Sequence, residues 1–174
     1  MAGVLVEPLL GIPHAAGVVM VGAIVMTHGD DQGLVLPPKL APKHVVILPI
    51  CRNDAERAQV LPYCESLMQE LNAQSFSGGP VRAWIDDRDL RGGEKNWQHV
   101  KRGVPLRAEV GPRDIAKNAV FLGRRDTSQK SNLGRQELVQ TVGSILDEMQ
   151  RNLYQRALDL REANTRVIDN ADEF

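Results

Sequence analysis

Residues 84–125 read WIDDRDLRGGEKNWQHVKRGVPLRAEVGPRDIAKNAVFLGRR, and the apolar runs inside this stretch decide the fold. Pro105 to Val110 and Ala119 to Gly123 are short and apolar, as strands are, and Gly111 to Asn118 joins them. Glu94 to Arg102, after the pair Gly92-Gly93, has the composition of a short helix. Trp84 belongs to an earlier run, Val81 to Ile85, which predicts a third strand with Asp86-Asp87-Arg88 at its end.

Working outward, His44 to Ile50 (HVVILPI) is fully apolar and β-branched, as expected of a buried parallel strand. Asn53 or Asp54 can cap the helix that follows, which carries Ala58, Leu61, Cys64, Leu67, Met68 and Leu71 at three- and four-residue spacing. Pro62 inside it should kink it. Ser77-Gly78-Gly79-Pro80 reads as a turn. Arg135 to about Arg166 is the longest helical segment, with Leu138, Val142, Ile145, Met149, Leu153 and Ala157 in one stripe. Strands alternating with helices predict a three-layer α/β domain with a mixed sheet. Upstream, Met20 to Leu36 (MVGAIVMTHGDDQGLVL) reads as a β-hairpin around a Gly-Asp turn, ended by Pro37-Pro38. Lys39 to Lys43 is a linker at the expected domain boundary, and residues 1–19 show no pattern.

The chain has 174 residues, 43% apolar and only 4% aromatic, so Leu, Val, Ile and Ala must fill a single core. Formal net charge is -1, but unevenly spread. Arg82 to Arg135 holds 13 Lys and Arg against 7 Asp and Glu, whereas Gln136 to Phe174 holds 4 against 8. That asymmetry points to an anionic partner for the middle segment. Cys51 and Cys64 form neither a CxxC pair nor a disulfide framework, which suits a reducing, cytoplasmic setting. No apolar run reaches the ~20 residues that span a bilayer, and no signal-peptide layout is present.

Candidate chemistry is sparse, and no catalytic residue emerges. His28-Gly29-Asp30-Asp31 lacks further spaced ligands, so a turn explains it better than a metal. Gly92-Gly93-Glu94-Lys95 is no Walker loop; it reads equally as an anion cradle at a helix start or as an ordinary turn. Asp86, Asp87 and Asp89 could act as general acids or bases, pair with Arg88 and Arg91, or accept from base amino groups. Cys51 and Cys64 read as inert thiols, and His14 and His44 have no evident partner. Trp97 and Trp84 could stack on a base, although Trp84 suits the core. A helix bearing Lys95, Lys101 and Arg102 before a strand carrying Glu109 suits the reading of a single RNA strand: cations hold phosphate while donors and acceptors read base edges.

THGDDQGLVLPPKLAP, then VVILPI, then DDRDLRGGEKNWQHVKRGVPLRAEVGPRD and LGRRDT resemble the C-terminal part of the prolyl-tRNA synthetase family. The branch is the eukaryote/archaeal-like one that some bacteria also carry, and the tail RALDLREANTRVIDNADEF fits it too. The resemblance runs from about Met20 to Phe174. It implies a class II anticodon-binding domain over about residues 43–150, a five-stranded mixed sheet flanked by helices. Residues 1–42 then correspond to the motif 3 region of the catalytic domain and a linker, and residues 151–174 to a C-terminal helix and the start of an extension. The resemblance implies that Asp86, Asp87, Arg88, Arg91, Lys95, Arg102, Glu109, Arg113 and Asp114 bind the anticodon of proline tRNA, whose last two bases are guanines. The parent reaction joins proline to its tRNA with ATP and Mg2+, in an enzyme expected to dimerise through its catalytic domain, with no membrane or DNA partner.

The chain also departs from the family. Gly17-Val18-Val19 stands where the family has Ser-Thr-Arg or Thr-Thr-Arg, whose arginine contacts ATP. Motifs 1 and 2 have no counterpart, and the branch normally continues past the position of Phe174. The expectation is a fragment that reads tRNA, needs no cofactor itself and is inactive alone. The alternative is a stand-alone RNA-binding module without ligase activity. A threonyl-, histidyl- or glycyl-type anticodon domain is disfavoured by GVPLRAEVGPRD and THGDDQG.

Overall fold

β1 (Val45–Pro49) is buried at every position and lies inside the sheet, as an uninterrupted β-branched run requires. The computed structural model describes residues 11–166. In chain order, α1 (Gly11–His28) precedes β1; α2 (Asp54–Asn72), β2 (Ser75–Phe76), β3 (Gly79–Pro80) and β4 (Ala83–Ile85) follow it. Then come α3 (Gly92–Lys101), β5 (Leu106–Val110), α4 (Pro112–Ala116), β6 (Ala119–Arg124), β7 (Lys130–Gly134) and α5 (Arg135–Ala163). The main sheet has the order β4-β1-β5-β6-β7; β4, β1 and β5 are parallel, and β6 and β7 continue antiparallel. This is the expected five-stranded mixed sheet.

Alternation along the strands makes the three layers. Val45, Ile47, Leu106, Ala108, Val120 and Leu122 face α2 and α5, where they meet Val60, Cys64, Leu67, Leu71, Leu138, Val142, Leu146 and Met149. Val46 and Leu48 face the other way, with Val104 and Trp84, beneath α3. Asn53 caps α2 as expected, its side chain accepting from the Glu56 N–H at 2.8 Å. α2 runs on through Pro62 as one helix. In α5 the buried stripe includes Leu146, whereas Ile145 is half-buried, and the helix runs unbroken across residue 150.

The N-terminal hairpin is corrected. The apolar run of residues 20–26 lies in α1, and the Gly-Asp turn leads to a single Asp30–Gly33 bridge and then a strap over residues 30–36. A lone two-stranded ribbon has no third strand to cover its edges, whereas a helix satisfies its backbone within itself. Val19, Met20, Val21, Val25 and Met26 are exposed on α1, so residues 19–28 add little to the core.

The strap binds the amino edge of the sheet. Leu34 N–H donates to the Lys101 carbonyl (3.0 Å) and Leu36 N–H to the Gly103 carbonyl (3.2 Å). Gly103 has φ +73°, and a Cβ there would stand 2.6 Å from the Leu34 carbonyl oxygen, so both conformation and space demand glycine.

Candidate functional site

Because β4, β1 and β5 run parallel, their carboxyl ends converge on one edge, and the segments leaving them form a crevice of about 540 Å³. Open α/β sheets place their binding crevices at such carboxyl ends. Ile50 and Arg52 come from the end of β1, Glu56 from α2, and Gly111, Pro112, Arg113 and Asp114 from the start of α4. Glu109, Phe121 and Asn132 complete the lining. They come together through strand register: Glu109 pairs with Phe121 and Phe121 with Asn132, so the three sit in one row across β5, β6 and β7. Lys130 holds its Nζ 5.9 Å from the Phe121 ring centroid.

The lining offers donors, acceptors and an aromatic surface together. Arg113 is exposed; Glu109 and Asp114 are half-buried. Asp114 accepts from the Gly111 N–H at 2.9 Å and so caps α4, keeping further acceptor capacity because a carboxylate has about four lone-pair sites. Glu56 accepts from the Arg52 N–H at 2.8 Å, which fixes the turn after β1. A smaller hollow of about 350 Å³ adjoins at Arg52 and reaches Arg57 and Asp89.

Of the nine residues expected to touch RNA, two are buried away from the surface. Asp86 is 0% exposed and its carboxylate is fully engaged: Arg88 donates from Nε to Oδ1 (2.7 Å) and from Nη2 to Oδ2 (2.6 Å), and His99 Nε2 lies 2.8 Å from Oδ2. The Arg88 guanidinium, chiefly, and then the His99 bond hold the Asp86 carboxyl far below the usual carboxylate range, against the opposing effect of burial. Lys95 is buried too, its Nζ donating to the Asp86 carbonyl at 3.2 Å. Both side chains are engaged inside the fold: buried charges need partners, and these have found them there.

Arg88, Asp87 and Arg91 stand at the same carboxyl edge, between β4 and α3, with the Asp87 carbonyl held by Arg57 Nη2 at 3.0 Å. Arg102 does not join them; it caps the far end of α3, at the amino edge. Asp30 of the Gly-Asp turn pairs with Arg125, and among the described residues no cluster of three potential metal ligands exists. Burial raises the thiol pKa of both cysteines, that of Cys64 to about 12, as expected of inert thiols. Trp84 packs on the smaller core cluster under Lys43, and Trp97 is exposed. Sequence reasoning did not single out Arg52, Phe121, Asn132 or His99. Phe121 could have been found by pairing the two apolar runs as a hairpin, which sets it opposite Glu109.

The geometry now has a counterpart among known proteins. The family described as "Anticodon binding domain" matches residues 44–145, which contain the whole sheet and every crevice residue. The chain belongs to the anticodon-binding domain family. It is 52% identical over 157 residues to a proline–tRNA ligase of Bdellovibrio bacteriovorus, covering 89% of this chain and 32% of that protein. A proline–tRNA ligase of Rhodopirellula baltica is 54% identical over 155 residues, covering 89% and 30%. One from Thermococcus kodakarensis is 40% identical over 154 residues, covering 88% and 31%. The chain thus spans about a third of the length of these curated relatives. It resembles their anticodon-binding part, as the motifs between Thr27 and Thr127 imply. Among the described residues no helix is long and apolar enough to cross a membrane.

Proposed function

We propose that this chain recognises the anticodon arm of proline tRNA, as the anticodon-binding part of a proline–tRNA ligase. The observation that carries the reading is the carboxyl-edge crevice, where Glu109 and Asn132 flank Phe121 with Arg113, Asp114 and Arg52 at the rim. A guanine presents N–H donors and two acceptors on one plane; carboxylate and amide groups beside an aromatic ring suit such a base, and rim arginines suit its phosphates. Glu109 is the acceptor best placed for the guanine N1 and N2 hydrogens, Phe121 the stacking surface, and Arg113 and Arg52 the cationic rim. Asp87, Arg88 and Arg91 extend the surface along the same edge. In the whole enzyme this recognition serves the ATP- and Mg2+-dependent joining of proline to tRNA, in the cytoplasm, by a dimer formed through its catalytic domain.

The test is direct binding of proline-tRNA anticodon stem-loops carrying GG or AA at the last two anticodon positions, at two salt concentrations. Tighter binding of the GG loop, weakening with salt, is the expected result. Equal binding of both loops would remove base reading from the crevice, and no binding of either would remove the function.

A further inference from the structure

Arg88 is an incompletely used arginine on a fully buried anchor. A guanidinium has five N–H donors in a rigid fork. Asp86 takes Nε and one hydrogen of Nη2, gripping the fork from its side. The two hydrogens of Nη1 and the second of Nη2 form the end of the fork, and no acceptor meets them among the described residues. The Arg88 side chain is 38% exposed while that of Asp86 is 0% exposed, so the unused end belongs to the surface side of the pair.

Asp86 is itself held from behind. His99, 2% exposed, meets its Oδ2 through Nε2 at 2.8 Å, and Trp84 packs edge-on against the imidazole with centroids 5.9 Å apart. Among the described residues His99 Nδ1 has no hydrogen-bond partner. That fixes the tautomer: the neutral ring with hydrogen on Nε2 donates to Asp86, whereas an imidazolium would bury a second N–H with no acceptor. Burial, the largest influence on His99, favours the neutral ring too, against the pull of Asp86. Lys95 holds the backbone of Asp86 from α3. A line of oriented groups therefore runs from the helix face of the sheet to the carboxyl edge: His99, Asp86, Arg88.

We propose that Asp86 and His99 are positioning residues that hold Arg88 as a preset fork for a pair of acceptors on the bound RNA strand. This rests on the reading that the carboxyl edge receives the anticodon. The acceptors are either O6 and N7 of a guanine or two oxygens of a phosphate; both match the end of the fork. The gain comes from preorganisation, because an arginine already fixed loses less freedom on binding.

The test uses the full chain and the stem-loops above, at two salt concentrations, with thermal melts to establish folding. Arg88→Ala should weaken GG-loop binding by roughly 5- to 100-fold. Asp86→Asn, which leaves the Arg88 charge in place, should lose most of the same factor. The double variant should bind no worse than Arg88→Ala, because Asp86 acts through Arg88. His99→Gln, which keeps a donor for Asp86, should stay within about twofold of wild type, and His99→Leu should fall well below it. If Asp86→Asn does not fold, the two His99 variants carry the test. Arg88→Ala losing GG preference identifies guanine as the acceptor; an equal loss on both loops with a flatter salt response identifies phosphate. Asp86→Asn binding as wild type, the double variant losing the product of the single losses, or His99→Gln and His99→Leu behaving alike would overturn the proposal. Glu109→Gln separates the two levels of the argument. If it relaxes guanine preference while Asp86→Asn is silent, only this inference falls; if the wild type binds no loop, both fall.

Discussion

Two aspartate–arginine pairs stand at opposite edges of the sheet with their burial reversed. At the amino edge the arginine is inside: Arg125 is 2% exposed and Asp30 39%. At the carboxyl edge the aspartate is inside: Asp86 is 0% exposed and Arg88 38%. Arg125 spends its donors within the fold, on both oxygens of Asp30 (2.6 and 2.7 Å), the Val100 carbonyl (3.0 Å) and the Gly33 carbonyl (3.2 Å). It is a staple joining strap, helix and sheet. Arg88 directs its side-chain donors to one acceptor group and keeps the rest outward. The same two residue types make architecture in one case and a presented surface in the other. Which partner is buried decides between them.

The largest effect comes from breaking the staple. Asp30→Ala leaves Arg125 buried with only carbonyl partners, and stability should fall by about 3 kcal/mol or more, read from the urea midpoint. An unchanged midpoint would show that the strap does not need its anchor. Arg125→Ala should be milder in its charge cost, because Asp30 can be hydrated where it lies.

Acid titrates both edges. Burial, and secondarily Arg82, lowers the pKa of His44 to about 4, and burial lowers that of His99. Both rings fold neutral, so the unfolded chain binds more protons once the pH drops below the unfolded histidine value of about 6.5. Their stabilisation is complete above that pH and is lost as pH falls towards 4, by roughly 3 kcal/mol for His44. Asp86 adds a further loss below the ordinary carboxylate range, since its carboxyl is held charged in the fold. Urea midpoints from pH 8 to 4 should slope downward, and His44→Gln should flatten the slope. A flat wild-type curve would mean that His44 is solvated.

Smaller effects concern binding alone. Glu109→Gln replaces a double acceptor with an amide and should cost about 1–3 kcal/mol on the GG loop while leaving the AA loop nearly unchanged. Arg102→Ala is the smallest: at the amino edge and exposed, it should shift stability by less than about 0.5 kcal/mol and barely alter binding. If Arg102→Ala weakens binding as much as Glu109→Gln, the RNA covers both edges and the contrast between them fails.

Much of the fold was legible because burial writes itself into periodicity. β1 is uninterrupted apolar sequence, and α2 and α5 carry three- and four-residue stripes. β7 was illegible from its residues: KSNLG at the sheet edge, mostly exposed, has no core to face, so nothing selects alternation. α1 misled because an apolar run without polar alternation does not distinguish helix from strand; the neighbours decide. At the site, Glu109, Arg113 and Asp114 lie next to glycine and proline at a strand end, where charged residues usually serve the surface. Asp86 sits in the same kind of place and yet turns inward, to His99, thirteen residues on in the last turn of α3. A lone histidine among polar helix residues carries no local sign of that. Phe121 and Asn132 join the crevice only through strand register, a long-range property no single segment contains.

The strap has a consequence in time as well as in space. Its acceptors, the carbonyls of Lys101 and Gly103, take their places only once α3 has turned into β5, and its anchor Arg125 only once β6 has paired with β5. The Asp30–Arg125 contact closes a loop of 95 residues, so the chain cannot gain from it early. Residues 30–36 should therefore dock late during folding and open early from the native state. Amide exchange at Leu34 and Leu36 should run ahead of exchange at Val46 and Ile47, and Asp30→Ala should speed both, the core amides only by the factor that the fall in the urea midpoint implies.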